Sequence, residues 1–227
     1  MKQLTSQAIV LSRTDFGEAD RILTLLTPDY GKLRVIAKGV RRIKSKLAGG
    51  IELFSISDIG FVKGRGDIST LSSSRLLKHY GSIVKDIERT MLGYDLLKQL
   101  SKAIEDEPGP EYFELLGQTF EALDDFSVSL DLIRFWFMAQ LLRLNGLSPN
   151  LQTDIRGEKL EFTGRYNFDF EHMAFVGMPD VGRFTVDHIK VLRLVFSGNT
   201  AIVLQRVNNI QTLTHDVAPI VAQMSHS

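Results

Sequence analysis

The sequence predicts an α+β protein in which a small β-barrel precedes a mainly helical part. Two observations lead to this fold class. Short segments rich in branched residues, separated by turn sequences, fill residues 1–80. Beyond residue 80, apolar residues recur mostly at intervals of three and four, which is the helical period. Because 227 residues are ample for two cores, we expect one domain at 1–80 and a second at 81–227.

Five short strands are predicted in the first domain. They are Gln7–Arg13, Arg21–Thr27, Lys32–Lys38, Ile51–Val62 and Ile68–Leu71. A turn at Pro28-Asp29-Tyr30-Gly31 separates the second strand from the third, because proline fixes φ and glycine permits a positive φ. Closing such strands into a barrel removes exposed strand edges, so a small closed barrel is the expected arrangement.

The second domain is predicted to contain five helices around an irregular segment at 147–182. The first helix is expected to bury a stripe of Ile83, Ile87, Met91, Tyr94, Leu97 and Ile104. The others are predicted at Glu111–Leu123, Ser129–Leu144, Phe184–Ser197 and Val207–Met224, with Thr185 as the cap of the fourth. Since the third is apolar nearly all round, we expect it at the centre of the domain.

Cations are concentrated in one short segment. Residues 32–46 read KLRVIAKGVRRIKSK, with seven cations and no acid, although the whole chain has a formal net charge of zero. Residues 1–80 carry 14 Lys and Arg residues against seven Asp and Glu residues, a net charge of +7, and the remainder of the chain carries −7. Like charges repel, whereas a polyanion releases counterions when it meets them. Phosphate binding is therefore favoured over a merely solvated surface, and nucleic acid is the expected partner.

Strand alternation places this charge on an outer surface. Lys32, Arg34 and Lys38 alternate with Leu33, Val35 and Ala37 along the third predicted strand, so the cations are expected to face solvent. The loop Gly39–Gly50 continues the basic surface. A basic strand followed by a basic loop suits contact with a nucleic-acid backbone.

Motifs of catalysis and metal binding are missing from the sequence. It contains no Walker phosphate loop, no G-x-S-x-G and no H-E-x-x-H, and it has no cysteine for a disulfide or a thiolate-bound zinc. His172 lies near Asp169 and Glu171, but no second histidine is close in sequence, which makes a metal site there improbable. Asp124 and Asp125 are interpreted as helix caps. We expect no enzyme activity, no cofactor and no metal, with a nuclease or transferase of dispersed site as the remaining alternative.

The location is expected to be cytoplasmic. The N-terminal segment has too short an apolar run for a signal peptide, and no stretch approaches the roughly 18 apolar residues of a membrane span. The absence of cysteine is compatible with a reducing compartment.

Three segments resemble the bacterial recombination and repair family RecO. They read GEADRILTLLTPDYGKLRVIAKGVRRIKSKLAGGIELF from Gly17, GRGDISTL from Gly64, and LIRFWFMAQLLRLNGLSPNL from Leu132. The resemblance implies an OB-fold barrel followed by a helical domain. It also implies a recombination mediator associated with the nucleoid, which binds single- and double-stranded DNA and anneals complementary strands. Such proteins act with RecR, engage the acidic C-terminal tail of single-stranded DNA-binding protein (SSB), and help to load RecA; they are not enzymes.

The resemblance places the DNA-binding surface on nine cations. These are Lys32, Arg34, Lys38, Arg41, Arg42, Lys44, Lys46, Lys63 and Arg65. Aromatic stacking on bases is a feature of OB surfaces, for which Phe16, Tyr30, Phe54 and Phe61 are candidates, although most of them suit the barrel core better. An RNA-binding OB protein is the alternative interpretation of the same basic surface.

Two features of the second domain concern a protein partner and the packing of its irregular segment. Arg134 is a lone cation beside Phe135 and Trp136, so it is a candidate for binding the SSB tail; an internal salt bridge with Asp131 is the alternative. Many relatives carry four zinc-binding cysteines after the segment NGLSPNL, whereas residues 152–178 have none here. That segment is expected to be held by packing of Leu160, Phe162, Tyr166, Phe168 and Phe175.

Overall fold

A computed structural model describes residues 3–64, 66–104, 108–161 and 164–225. The strands in these ranges are β1 (Gln3–Phe16), β2 (Asp20–Thr27), β3 (Gly31–Ala37), β4 (Ser55–Val62), β5 (Ile68–His79), β6 (Asn150–Asp154), β7 (Arg165–Asp169), β8 (Ala174–Gly177) and β9 (Phe184–Thr185). The helices are α1 (Ile87–Ala103), α2 (Pro110–Asp124), α3 (Leu130–Leu144), α4 (Val186–Phe196), α5 (Ala201–Leu204) and α6 (Ile210–Met224). The chain divides into two compact units, with the boundary between Asp124 and Asp125.

The first five strands form a closed barrel in the order β1-β2-β3-β5-β4. Neighbouring strands are antiparallel except β3 and β5, which run parallel. This is the arrangement of the OB fold, and it confirms the predicted fold class of a barrel followed by helices. Strands β1 and β5 extend well beyond their predicted ends, and their pairing contains register shifts at Val10/Ser12 of β1 and at Gly60/Phe61 of β4.

The alternation predicted along β3 directs its apolar residues into the barrel, and two residues of β2 lie beside them. Leu23 and Leu25 of β2 and Val35 and Ala37 of β3 are buried in its core. Phe61 of β4 is fully buried beside them, and the ring of the partly buried Tyr30 meets its edge, with centroids 5.3 Å apart.

Helices α1 and α2 belong to the same compact unit as the barrel. An aromatic cluster joins them: the Phe54 ring lies 5.4 Å from that of Tyr94 on α1 and 5.6 Å from that of Phe120 on α2. The Tyr80 ring lies 5.5 Å from the same Phe120 ring. The predicted boundary at residue 80 therefore marks the end of the barrel, while the compact unit continues to Asp124.

The buried face of α1 differs from the predicted one. Ile87, Met91 and Tyr94 are exposed, and the helix packs through Leu92, Gly93, Leu96, Leu97 and Leu100. The predicted stripe is therefore wrong for those three residues. Both faces of the helix carry apolar residues at helical spacing, so the period alone could not say which face meets the barrel.

The second unit is built on α3. Leu132, Ile133, Phe135, Trp136 and Phe137 are all buried, and the Trp136 indole donates a 2.6 Å hydrogen bond to the Asn199 carbonyl oxygen. This confirms that the third predicted helix is central. The apolar faces of α4 and α6 belong to the same core, where Leu192 and Val221 are buried.

Strands β6 to β9 form a four-stranded sheet in the order β6-β8-β7-β9, within the segment predicted as irregular. Its packing is aromatic: the Phe175 ring is buried between those of Phe168 and Phe184, with centroids 5.2 and 6.0 Å away. Tyr166 is buried as predicted, and Leu160 is half-buried. Phe162, which was also predicted to pack in this segment, lies outside the described residues.

The cap predicted for α4 is confirmed. Thr185 and His188 form a capping box in which each side chain bonds the backbone of the other residue. The His188 ring also places its Nε2 3.1 Å from Asp216 Oδ2, which links α4 to α6. Helix α6 begins at Ile210, later than the predicted Val207, because its N-cap Asn209 has left-handed backbone with φ of 58°. Residues 201–204 form the separate short helix α5.

Candidate nucleic-acid interface

The basic loop, residues 38–47, follows β3 and is anchored at its first end to the turn between β1 and β2. The Gly39 amide donates to Asp20 Oδ1 at 2.6 Å, and the Arg41 amide donates to the Ala19 carbonyl oxygen at 2.9 Å. Val40, between them, is buried in the barrel core. One apolar side chain and two hydrogen bonds thus fix where the loop leaves the barrel.

The other end of the basic loop is fixed by Leu47. Its side chain packs against the barrel core, and its carbonyl oxygen accepts a 2.8 Å hydrogen bond from Ser74 Oγ on β5. Between the two anchors, the Ser45 amide donates to the Arg42 carbonyl oxygen at 2.9 Å and closes a turn. The tip of the loop is therefore a hydrogen-bonded turn held at both sides.

Four cations of the basic loop project into solvent. Lys38, Arg42, Lys44 and Lys46 are all exposed. Within the described part of the chain, none of the four forms an ion pair with a carboxylate. A cluster of cations without internal counter-charge is electrostatically unfavourable by itself and attracts polyanions.

Arg34 and Lys63 extend this charge onto the strands. Arg34 is exposed on β3, where it pairs with Thr24 of β2 on one side and with Ile68 of β5 on the other. Ile68 is the first residue after the β4–β5 turn, and Lys63 is exposed at the start of that turn. Arg65, the remaining cation predicted for the site, lies outside the described residues.

Arg41 holds the loop in place. Its Nε lies 3.5 Å from Asp15 Oδ2, and its Nη1 donates to the Gly17 carbonyl oxygen at 3.4 Å. Asp15 also accepts a 2.7 Å hydrogen bond from Arg21 Nε. That hydrogen bond, assisted by the charge of Arg41, lowers the pKa of the Asp15 carboxyl. Arg41 is thus a positioning residue whose charge is already partly compensated.

Lys32 has a structural contact that its sequence position did not reveal. Its Nζ donates to the Ser101 carbonyl oxygen at 2.9 Å and lies 3.5 Å from the Ile104 carbonyl oxygen, both at the C-terminal end of α1. The residue is half-buried. A cation at a helix C-terminus satisfies carbonyls that lack helical partners and interacts favourably with the helix dipole. The prediction that Lys32 faces solvent, like Arg34 and Lys38, is therefore wrong.

Of the four aromatic candidates for stacking, Phe16 has the most accessible ring. Phe54 and Phe61 are buried in the core of the first unit, and Tyr30 packs on Phe61. Phe16 is 52% exposed at the end of β1, directly before the turn to which the basic loop is anchored. This aromatic ring and the loop cations therefore lie at the same end of the barrel.

One residue of the loop was not identified from the sequence. Ile43 lies between Arg42 and Lys44 at the turn and is fully exposed. The segment RRIKSK could have indicated its exposure, because it contains a single apolar residue among cations. Sequence alone did not distinguish it from Val40 and Leu47, which are the apolar loop residues that fill the core.

Arg134 is exposed on α3 in the second unit. The rings of Phe135 and Trp136 are buried in the core of that unit, so they do not form an apolar pocket around the guanidinium. A partner at Arg134 would have to contact the polar face of α3.

Neither a metal-binding cluster nor a membrane-spanning helix is found in the described ranges. No group of three or more His, Cys, Asp or Glu residues there is placed to hold a metal ion. His172 pairs with Asp169 alone, at 3.1 Å, and backbone and side-chain hydrogen bonds from His172 lower the pKa of the Asp169 carboxyl. Likewise, none of the helices in those ranges has the length and apolar character needed to cross a membrane.

The closed barrel and its exposed loop cations define an OB-fold protein with a basic surface at one end of the barrel. Residues 1–80 match the family model described as "Recombination protein O N terminal", and residues 84–211 match "Recombination protein O C terminal". The chain therefore belongs to the RecO family.

Individual relatives agree with the family models, and each is named DNA repair protein RecO. The protein of Dehalococcoides mccartyi strain CBDB1 is 35% identical over 202 residues, covering 84% of this chain and 77% of the relative. That of Desulfatibacillum aliphaticivorans is 33% identical over 176 residues, covering 76% and 68%. For the relative from D. mccartyi strain 195, 34% identical over 148 residues, the match covers 65% of this chain and only 58% of the relative.

Proposed function

We propose that this protein is a recombination mediator that binds single- and double-stranded DNA and anneals complementary strands. It acts without enzymatic chemistry and helps to load RecA onto DNA coated by SSB. Its membership of a family of DNA repair proteins supports the general role. The basic surface of the barrel supports the proposed binding and annealing of DNA, and the proposed loading of RecA rests on the resemblance to the family.

The observation that carries the proposal is the set of four exposed loop cations that form no ion pair within the described part of the chain. No carboxylate in the described part of the chain neutralises these cations, so their charge is available to phosphates. They are Lys38, Arg42, Lys44 and Lys46. Because Arg41 and Leu47 anchor the loop, these cations are presented with little loss of backbone freedom on binding. Arg34 and Lys63 widen the surface for a longer stretch of backbone.

Strand annealing follows from the same charges. Two complementary strands repel through their phosphates, and a cationic surface that neutralises both lowers that repulsion while their bases pair. Phosphate contacts do not read sequence, so the binding is expected to show little sequence preference. This agrees with a protein that must act on any damaged region.

Protein partners are proposed from the family. We propose that RecR acts together with this chain, and that Arg134 binds the carboxylates of the SSB tail through charge-assisted hydrogen bonds. The exposed position of Arg134 is compatible with this role, although its aromatic neighbours are buried.

The test is a triple variant, Arg42→Ala/Lys44→Ala/Lys46→Ala, which leaves Arg41 and the anchoring of the loop intact. It should fold normally, bind a labelled oligonucleotide more weakly and fail to anneal strands. The plot of log K against log salt should become shallower by about 0.7 for each single-strand phosphate that the variant no longer neutralises. Fluorescence anisotropy at several salt concentrations measures both the affinity and the slope.

A matched control removes three exposed cations from the second unit, in Arg156→Ala/Lys159→Ala/Arg206→Ala. Its net charge falls by the same amount, yet it should keep most of the affinity and the original slope. Equal reductions of affinity in the two triple variants would contradict the proposed site. Comparable affinity for structured RNA without annealing would instead favour an RNA-binding protein, and metal-dependent cleavage of labelled DNA would identify an enzyme.

A further inference from the structure

The tip of the basic loop presents an apolar side chain to solvent. Ile43 is 104% exposed, so no described part of the protein covers it. It occupies the second position of the turn closed between Arg42 and Ser45, where polar residues, glycine and proline are usual. Exposed apolar residues are common singly on protein surfaces, but this one stands between two exposed cations.

The local structure holds Ile43 in this position. The turn hydrogen bond from the Ser45 amide to the Arg42 carbonyl oxygen orients the tip, and the anchors at Arg41 and Leu47 fix its two sides. The core positions available to the loop are already filled by Val40 and Leu47. Ile43 is therefore presented outward by a turn fixed at both ends, while Val40 and Leu47 are the apolar residues of the loop that pack in or against the core.

The neighbours of Ile43 indicate what covers it in a complex. Arg42 and Lys44 suit two phosphates of one nucleic-acid strand, whereas a branched alkyl group has no favourable contact with a phosphate. The apolar part of a strand is the face of its bases. In a duplex those faces are stacked inside the helix, while in a single strand they can be reached by a side chain.

We propose that Ile43 is a base-contacting residue that packs against unpaired bases of the DNA strand held by Arg42 and Lys44. The inference rests on the proposed function, since it assumes that the loop binds DNA. Phe16, exposed at the same end of the barrel, offers a second apolar surface for the same strand. Ile43 thereby gives the site a preference for unpaired bases that its phosphate contacts cannot supply.

The experiment compares wild type with Ile43→Ser on two labelled probes of about 15 nucleotides, the upper range for one OB fold. One is an ordinary single-stranded oligonucleotide, and the other is an abasic strand with the same phosphates. Wild type should prefer the strand that carries bases. The affinity of Ile43→Ser for that strand should fall about fivefold, the change expected when half of an isoleucine side chain is no longer removed from water. Its affinity for the abasic strand and its salt slope should not change.

Val181→Ser is the matched control, because Val181 is also an exposed apolar residue but lies in the second unit. It should behave as wild type on both probes. Far-ultraviolet circular dichroism should show that both variants are folded, since neither side chain is buried.

The outcomes separate the inference from the proposed function. If wild type binds both probes equally, or if Ile43→Ser keeps the preference for bases, the base contact is refuted while DNA binding through the cations stands. If wild type binds neither probe, the proposed function fails and the base contact fails with it. Weaker binding of both probes by Ile43→Ser would also refute the base contact, because it would indicate a disturbed loop.

Discussion

The Nζ of Lys32 donates a 2.9 Å hydrogen bond to the carbonyl oxygen of Ser101, and so joins strand β3 of the barrel to the end of helix α1. Arg41, although exposed, forms an ion pair with Asp15 at 3.5 Å within the same unit. Two of the seven cations between Lys32 and Lys46 thus hold the first unit together. The remaining five, which are exposed, are the ones available to a polyanion.

Lys32→Ala should lower the free energy of unfolding by about 1 kcal/mol, because the last carbonyls of α1 would no longer have a charged, half-buried donor. The salt slope of DNA binding should change little. Chemical denaturation and anisotropy measure the two effects. Arg34→Ala, on the same strand, should show the reverse: little change in stability, and weaker binding with a shallower slope. A Lys32→Ala variant of full stability would mean that the contact contributes nothing.

Gly93→Ala should destabilise the first unit although alanine is the better helix former. A Cβ at Gly93 would lie 2.6 Å from Cε1 of Phe54, whose ring is fully buried. Because the approach is so short and the ring is fully buried, displacing it should cost near the upper end of about 1–3 kcal/mol, which exceeds the roughly 1 kcal/mol gained in helix propensity. Thermal unfolding of the variant should therefore show a lower Tm.

The control for Gly93 is Gly117→Ala on α2. There the added Cβ would meet only Cδ1 of Ile56 at 3.8 Å, an ordinary van der Waals distance. This variant should gain about 0.5–1 kcal/mol because alanine is less flexible than glycine. If both alanine variants shift the Tm in the same direction, the close approach of α1 to Phe54 does not control stability.

The pKa of Asp15 should respond to its arginine partners. A carboxyl whose pKa is lowered on folding stabilises the folded state at pH values above its ordinary pKa of 3.8. This contribution to stability is lost as the pH falls through the lowered pKa. Arg21→Ala removes the largest cause and should raise the pKa toward 3.8; Arg41→Ala should raise it less. Nuclear magnetic resonance titration of the Asp15 carboxyl measures the change. A pKa unaffected by Arg21→Ala would exclude the hydrogen bond as its cause.

Arg134→Ala should weaken binding of a peptide with the sequence of the SSB tail by about tenfold, because a charge-assisted hydrogen bond contributes about 1.5–3 kcal/mol and is partly screened at a surface. DNA binding by the first unit should be retained. Arg206→Ala, which removes another exposed arginine of the second unit, is the control. Unchanged isothermal titration curves for Arg134→Ala would remove this residue from the proposed interface.

Local patterns allowed several elements to be predicted correctly. Alternating residues in β3 identified its core face, the apolar α3 was identified as a central helix, and Thr185 was identified as a cap. Each depends on neighbours within a few positions along the chain. The clustering of the cations was also visible, since charge is a property of composition.

The sequence by itself determined the five barrel strands, the main helices that follow them and the place of the charge along the chain. The tertiary structure decided which face of α1 meets the barrel, which cations are used internally, and which apolar residue of the basic loop stays outside. Those choices depend on contacts between distant residues, such as Lys32 with Ser101 and Leu47 with Ser74. Because sequence periodicity reports only whether a residue can be buried, and packing determines whether it is, Val40 and Leu47 lie in the core while Ile43 faces solvent.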